Sequence, residues 1–156
     1  MKVDYLLDTN VLIIYSRSAD IARRIERDHQ LFDGKNDLAI SIATIGEINS
    51  LIAQYDYGKR RKESIQNLLD KVLEIDINIR KILDLYGQID AYSQNKLKGK
   101  KGDFTARNMG KNDLWIAATA SAFDMVLVTT DKDFDHLKGE YIKLKYIDIE
   151  KYKKGK

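Results

Sequence analysis

Short apolar runs alternate with segments of helical periodicity along the whole chain, and this alternation constrains the fold more than any other feature. Residues 5–7, 38–42, 72–75 and 125–130 read as strands, and the alternating stretch 141–147 reads as a last, edge-like one. Helical spacing fills the gaps. One helix begins near Val11, with Thr9 or Asn10 as its N-cap. A second covers 19–30, with Ile21 and Ile25 on one side. Ile45, Ile48, Ile52 and Tyr55 mark a third, and Ile65, Leu68 and Leu69 carry a fourth over 60–71. Ile79, Ile82, Leu83, Tyr86 and Ile89 mark a long fifth, and 112–123 is nearly all apolar. Strands alternating with helices predict an α/β fold in three α/β/α layers around a central, mainly parallel sheet.

With 156 residues and neither a repeat nor a linker, the chain reads as one domain over 1–150, followed by a basic tail, 151–156, expected to be a disordered end. There is no cysteine, so disulfides and Cys-based zinc sites are excluded. The apolar run 11–15 is far shorter than the roughly 20 residues that a membrane span requires. No signal-peptide pattern precedes it. The expected location is a reducing cytoplasm, with no membrane partner.

Four acids stand where an open parallel sheet places its ligands, outside the carboxyl ends of the strands. Asp8 follows the first strand and Asp131 the strand 125–130. Glu47 lies early in the third helix, and Asp113 opens the apolar one. Each has a simpler reading as a helix cap, worth about 1 kcal/mol, or as a partner of the helix dipole, worth roughly 0.3–1 kcal/mol. Glu47 and Asp113 fit those readings less well, because both sit on the shoulder of an apolar face. Two carboxylates about 4 Å apart repel by about 4 kcal/mol at an effective dielectric constant of about 20. Four at one rim therefore call for protons or a cation. Hard oxygen donors suit Mg²⁺ or Mn²⁺. His29 and His136 are isolated, so zinc is not expected.

The net charge of +3 says little, but its distribution says more. Basic residues cluster at Lys59-Arg60-Arg61-Lys62. They cluster again in the glycine-bearing loop 96–110, with Lys100, Lys101 and Arg107. These clusters are solvated faces or contacts to a polyanion. On the second reading Arg60, Arg61, Lys100, Lys101 and Arg107 bind RNA. An acidic magnesium site within basic surface suits phosphodiester hydrolysis.

Four motifs, in order, resemble those of the PIN-domain family. They are Leu7-Asp8-Thr9-Asn10-Val11-Leu12-Ile13, Ile45-Gly46-Glu47-Ile48, Asn112-Asp113-Leu114-Trp115-Ile116-Ala117-Ala118, and Val128-Thr129-Thr130-Asp131-Lys132-Asp133-Phe134. Each is weak singly; the set, spanning most of the chain, is specific. Among small members the chain looks most like VapC-type toxins of toxin–antitoxin pairs. That resemblance implies an endoribonuclease dependent on Mg²⁺ or Mn²⁺, cutting structured RNA such as tRNA to leave a 5′-phosphate and a 3′-hydroxyl. It implies a homodimer and a cognate antitoxin. It also implies that Asp8, Glu47, Asp113 and Asp131 hold the metal, with Thr9, Asn10, Asn112 and Thr130 as orienting donors. Asp135 is expected at the surface. A housekeeping RNA-processing nuclease and a non-catalytic RNA-binding module are the alternatives. Receiver domains and haloacid-dehalogenase-type phosphatases use an aspartate nucleophile. The phosphatases need an aspartate at position 10, which is Asn10 here.

Overall fold

The structure is a computed structural model that describes residues 4–154. The elements run β1 (Asp4–Leu7), α1 (Thr9–Arg17), α2 (Ala19–His29), β2 (Asp37–Ser41), α3 (Ile42–Tyr55), α4 (Lys59–Leu69), β3 (Leu73–Ile75), α5 (Arg80–Ser93), α6 (Lys111–Ala122), β4 (Val126–Thr129), β5 (Lys143–Tyr146) and α7 (Ile149–Lys154). A 3₁₀ turn, Lys132–Leu137, links β4 to β5.

The sheet order is β3-β2-β1-β4-β5, and every pairing is parallel. Successive strand residues face opposite sides, so a strand covered on both sides must be apolar throughout. Leu6 and Leu127 enter one core with Ile82, Ile89, Ile116 and Phe134. Leu7 and Val128 enter the other with Leu12, Ile25, Ile48 and Ile65. Helices α5 and α6 therefore cover one face, and α1 to α4 with α7 the other. This is a three-layer α/β/α fold.

The chain winds outward from β1 through β2 to β3, then returns to the other side of β1 for β4 and β5. That reversal opens a crevice at the carboxyl ends of β1 and β4. The Asp8 N–H bonds to the Val128 carbonyl at 2.9 Å, which fixes the two strand ends side by side.

Two expectations are corrected. Helix α1 begins at Thr9, and its N-cap is Asp8, whose carboxylate accepts the Thr9 N–H at 2.8 Å. Asp8, Thr9 and Asn10 can all cap, and the earliest takes the role because the chain leaves β1 there. The basic tail is helical over Ile149–Lys154. Tyr152 is buried, donates its hydroxyl to Asp28 at 2.8 Å, and accepts from Arg24 through its carbonyl. One buried aromatic docks a segment whose composition is otherwise that of a solvated end. Residues 155–156 lie outside the described residues. Among the described residues no helix is long and apolar enough to cross a membrane.

Candidate active site

Asp8 lies at the floor of the crevice and is 3% exposed. A carboxylate buried this far needs donors. Thr129, the last residue of β4, donates its hydroxyl to Asp8 Oδ2 at 2.7 Å, and the Thr9 N–H serves Oδ1. Burial pushes the Asp8 pKa up to about 6. The two hydrogen bonds oppose that shift, and the charges of Glu47 and Asp131 add to it.

Asp113 sits in the first turn of α6, half-buried against the same crevice. Its pKa is pushed up to about 7, first by burial and then by Asp8, Asp131, Glu47 and Asp133. The charges of the other three sequence-predicted acids therefore all bear on Asp113. Asp131 caps the 3₁₀ turn, accepting the Asp133 N–H at 2.9 Å. Its own N–H donates to Thr129 Oγ1 at 3.0 Å. Glu47 is partly buried on α3 and lines a cleft of about 520 Å³ together with Asn112 and Trp115.

The tightest group contains a residue that sequence reasoning did not place at the site. Carboxylate oxygens of Asp113, Asp131 and Asp133 lie within 4.8 Å of one another. Asp8 and Glu47 stand outside that triad. Burial, and then Asp131, raise the Asp133 pKa, and Arg107 lowers it. Asp135, two residues on, is exposed and outside the triad. The sequence cue is the Asp131-Lys132-Asp133 spacing, which becomes convergent only because the backbone turns through a 3₁₀ helix there.

The orienting residues distribute differently from the sequence expectation. The hydroxyl that reaches Asp8 belongs to Thr129, not Thr130. Thr9 helps through its backbone N–H, while its hydroxyl donates to Thr44 at 3.1 Å and ties α1 to α3. Asn10 and Asn112 are exposed, Asn112 at the mouth of the Glu47 cleft.

The loop 94–110 is ordered by its own contacts. The Asn95 side chain donates to the Phe104 carbonyl at 2.9 Å and accepts the Gly102 N–H at 3.2 Å. Phe104 packs edge-on against Tyr92 and His136. A Cβ at Gly102 would collide with the Phe104 ring. His136 meets Ser93 Oγ at 2.7 Å, and burial followed by Arg107 pushes its pKa down to about 4. It is a neutral packing residue.

Among the basic candidates, Arg107 reaches the acids most directly, with Nη1 at 3.4 Å from the Asp133 carbonyl. Lys100 is engaged elsewhere, 4.2 Å over the Tyr141 ring and paired with Glu140 at 3.4 Å. Lys101 and Arg60 are exposed. Arg61 stacks on Tyr57, its guanidinium carbon 3.7 Å from the ring centroid.

Among the described residues, none of Asp8, Glu47, Asp113, Asp131 and Asp133 has a Lys, Arg or His nitrogen within ion-pair distance. Among the described residues these five carboxylates thus have no ion-pair partner, and Arg107 beside Asp133 offsets their charge only in part. All their donors are hard oxygens, which fits Mg²⁺ or Mn²⁺ and not zinc.

The family model described as PIN domain matches residues 5–140, a span that takes in all five acids. The chain belongs to the PIN-domain family, whose members are nucleases and generally depend on a divalent metal. Solved structures share the fold. A chain of VapBC2 from Rickettsia felis, bound to a DNA fragment from their promoter, superposes with a TM-score of 0.73 at 22% identity, over 94% of this chain and 100% of that one. A chain of VapBC-1 from nontypeable Haemophilus influenzae gives 0.64 at 24% identity, over 92% and 98%. A chain of VapBC-5 from Mycobacterium tuberculosis, a member of the VapBC family of toxin-antitoxin systems, gives 0.65 at 17%, over 93% and 99%. By sequence, no curated protein matches the chain.

Proposed function

We propose that the chain is an endoribonuclease dependent on Mg²⁺ or Mn²⁺ and acts as the toxin of a type II toxin–antitoxin pair. The observation that carries this reading is the convergence of acids that have no ion-pair partner among the described residues, with Asp8 and Asp113 held up to about 6 and about 7. Asp8, Glu47, Asp113 and Asp131, with Asp133, are the residues that would hold the cation. Such an ion lowers the pKa of a bound water and neutralises charge on phosphate oxygens.

The chain's own groups do the positioning. Thr129 and the Thr9 N–H keep Asp8 in one orientation and oppose its protonation. Thr129 also holds the Asp131 backbone, so one hydroxyl sets two acids. Arg107, beside Asp133, is placed to meet a phosphate at the rim. The Glu47 cleft leaves room for the scissile strand to pass between α3 and α6.

The toxin role rests on the likeness to chains of VapBC complexes and on the four motifs. On this reading the partners are structured RNA such as tRNA, a cognate antitoxin and a second copy of the chain. The test is incubation of the purified protein with total RNA across a titration of Mg²⁺ and Mn²⁺, with the new ends sequenced. Metal-dependent cuts bearing 5′-phosphates are expected. Intact RNA at every metal concentration would overturn the nuclease reading. Growth arrest on expression, relieved by the product of an adjacent reading frame, is expected of a toxin; unimpaired growth would favour an RNA-processing role.

A further inference from the structure

We infer that a second cleft, between the far ends of α1 and α3 and the start of α4, is a subsite for a phosphate of the RNA strand, with Arg17 and Arg61 as its cationic arms. This rests on the nuclease reading above and extends it away from the acids. The cleft has a volume of about 550 Å³ and is lined by Arg17, Tyr55, Tyr57, Gly58 and Arg61, with Asp56 the one acid among its walls.

Arg61 Nε is buried and has no hydrogen-bond partner. A buried donor on a charged group is costly to leave unmade. The guanidinium carbon lies 3.7 Å over the Tyr57 ring, a contact that restrains the side chain. Among the described residues neither Arg17 nor Arg61 has a carboxylate within ion-pair distance, whereas Arg23, Arg24 and Arg27 on α2 are all paired. The arginines of α2 are thus neutralised by neighbouring acids, whereas Asp56, the acid in this cleft's wall, pairs with neither Arg17 nor Arg61. Gly58 caps α4 without a side chain, so the dipole of an eleven-residue helix adds positive potential at the mouth.

Phosphate is the anion that the surroundings favour. Lys59, Arg60 and Lys62 flank the cleft, and a planar fork matches a tetrahedral oxyanion in bidentate fashion. The cleft is also in reach of the same strand. Thr9 and Arg17 bound α1, and Glu47 and Tyr55 lie equally far apart on α3, so each helix spans about 12 Å from acid to cleft. A strand cut at the acids would pass the arginines within a few nucleotides.

The test measures binding of a fluorescent single-stranded RNA in EDTA, where no cutting occurs, across a range of salt. Wild type is compared with Arg17→Gln, Arg61→Gln and Arg61→Lys, and with Arg27→Gln as a control outside the cleft. Each lost phosphate contact makes the slope of log K against log[salt] shallower by about 0.7. That change is expected for Arg17→Gln and Arg61→Gln, a weaker affinity at retained slope for Arg61→Lys, and no change for Arg27→Gln. A thermal melt on each variant separates loss of binding from loss of fold. Arg17→Gln, on an exposed position, keeps the test open should Arg61→Gln unfold. Slopes equal to wild type in both Gln variants would overturn the subsite while leaving the nuclease reading intact, and would favour a carboxylate of a protein partner there. Failure of the wild type to bind RNA at all in EDTA overturns the subsite; the nuclease reading falls only if RNA also stays intact across the metal titration.

Discussion

Thr129 donates its hydroxyl to Asp8 at 2.7 Å, joining the last residue of β4 to the residue that follows β1. The same oxygen accepts the Asp131 N–H. The two central strands are thus cross-linked at the point where the acids gather, and one side chain sets the position of two of them. Thr129→Val removes both contacts at nearly constant volume. It leaves a buried carboxylate oxygen without its donor, at a cost of about 1–3 kcal/mol. We expect a lower urea midpoint and a marked loss of RNA cleavage at neutral pH, with Thr129→Ser close to wild type. Equal behaviour of the Val and Ser variants would remove Thr129 from the site.

Asp133 and Asp135 are both exposed and two positions apart, but only Asp133 converges with other acids. Asp133 belongs to the triad with Asp113 and Asp131, and Asp135 is exposed outside it. Calorimetric titration with Mn²⁺ should show Asp133→Asn weakening affinity by about tenfold, the lower end of what supporting ligands contribute. Asp135→Asn should bind as wild type does. The reverse order would reassign the third member of the triad.

The raised acids make a pH prediction for the metal-free protein. Asp8 and Asp113 hold protons in the fold at pH values where an unfolded aspartate has lost them. The unfolded state therefore binds fewer protons between about pH 4 and pH 7, and stability falls as pH rises through that window. Their contribution is complete below about pH 4 and gone above about pH 7. For buried Asp8 the loss is on the order of 3 kcal/mol; half-buried Asp113 contributes less than its raised pKa alone would imply, because solvent screens it. Asp8→Asn should thus gain on wild type as pH rises in chelator, read by denaturant unfolding at several pH values. A constant difference across the window would contradict a raised Asp8 pKa.

Much of this arrangement is legible in the sequence, and the exceptions have physical causes. The strands 5–7 and 125–130 stand out because burial on both faces demands unbroken apolar runs. Asp8 and Asp131 stand out by their places after strands, Asp113 by its place in a first helical turn, and Glu47 by its place on the shoulder of an apolar helix face. Thr129 is hard to tell from Thr130 by sequence, and only the ladder bond from Asp8 to Val128 decides which threonine faces the site. Asp133 converges through a 3₁₀ turn that leaves no periodicity over so few residues. Helix α7 docks through Tyr152 and Ile149, which its lysines obscure.

The loop 94–110 yields a local prediction. Gly102→Ala forces the Phe104 ring out of its place against Tyr92 and His136. Amide hydrogen exchange should rise across the loop while β1 and β4 stay protected. Arg107, whose N–H is held by the Ser93 carbonyl at 2.9 Å, should lose its position beside Asp133, with weaker RNA binding. Unchanged exchange in the loop would mean that the ring contact is dispensable.

Acids distant in the chain are held to share a divalent ion needed for cleavage, and the other functional claims depend on that. The most direct test is a Mn²⁺ titration of wild type, Asp8→Asn and Asp113→Asn, reading bound metal and RNA cleavage on the same samples. Wild type should bind Mn²⁺ and cut RNA over the same concentration range. Both variants should lose measurable binding and cleavage together, while remaining folded and melting no lower than wild type in EDTA. Wild-type Mn²⁺ affinity in the variants, or cleavage that persists without bound metal, would contradict the claim.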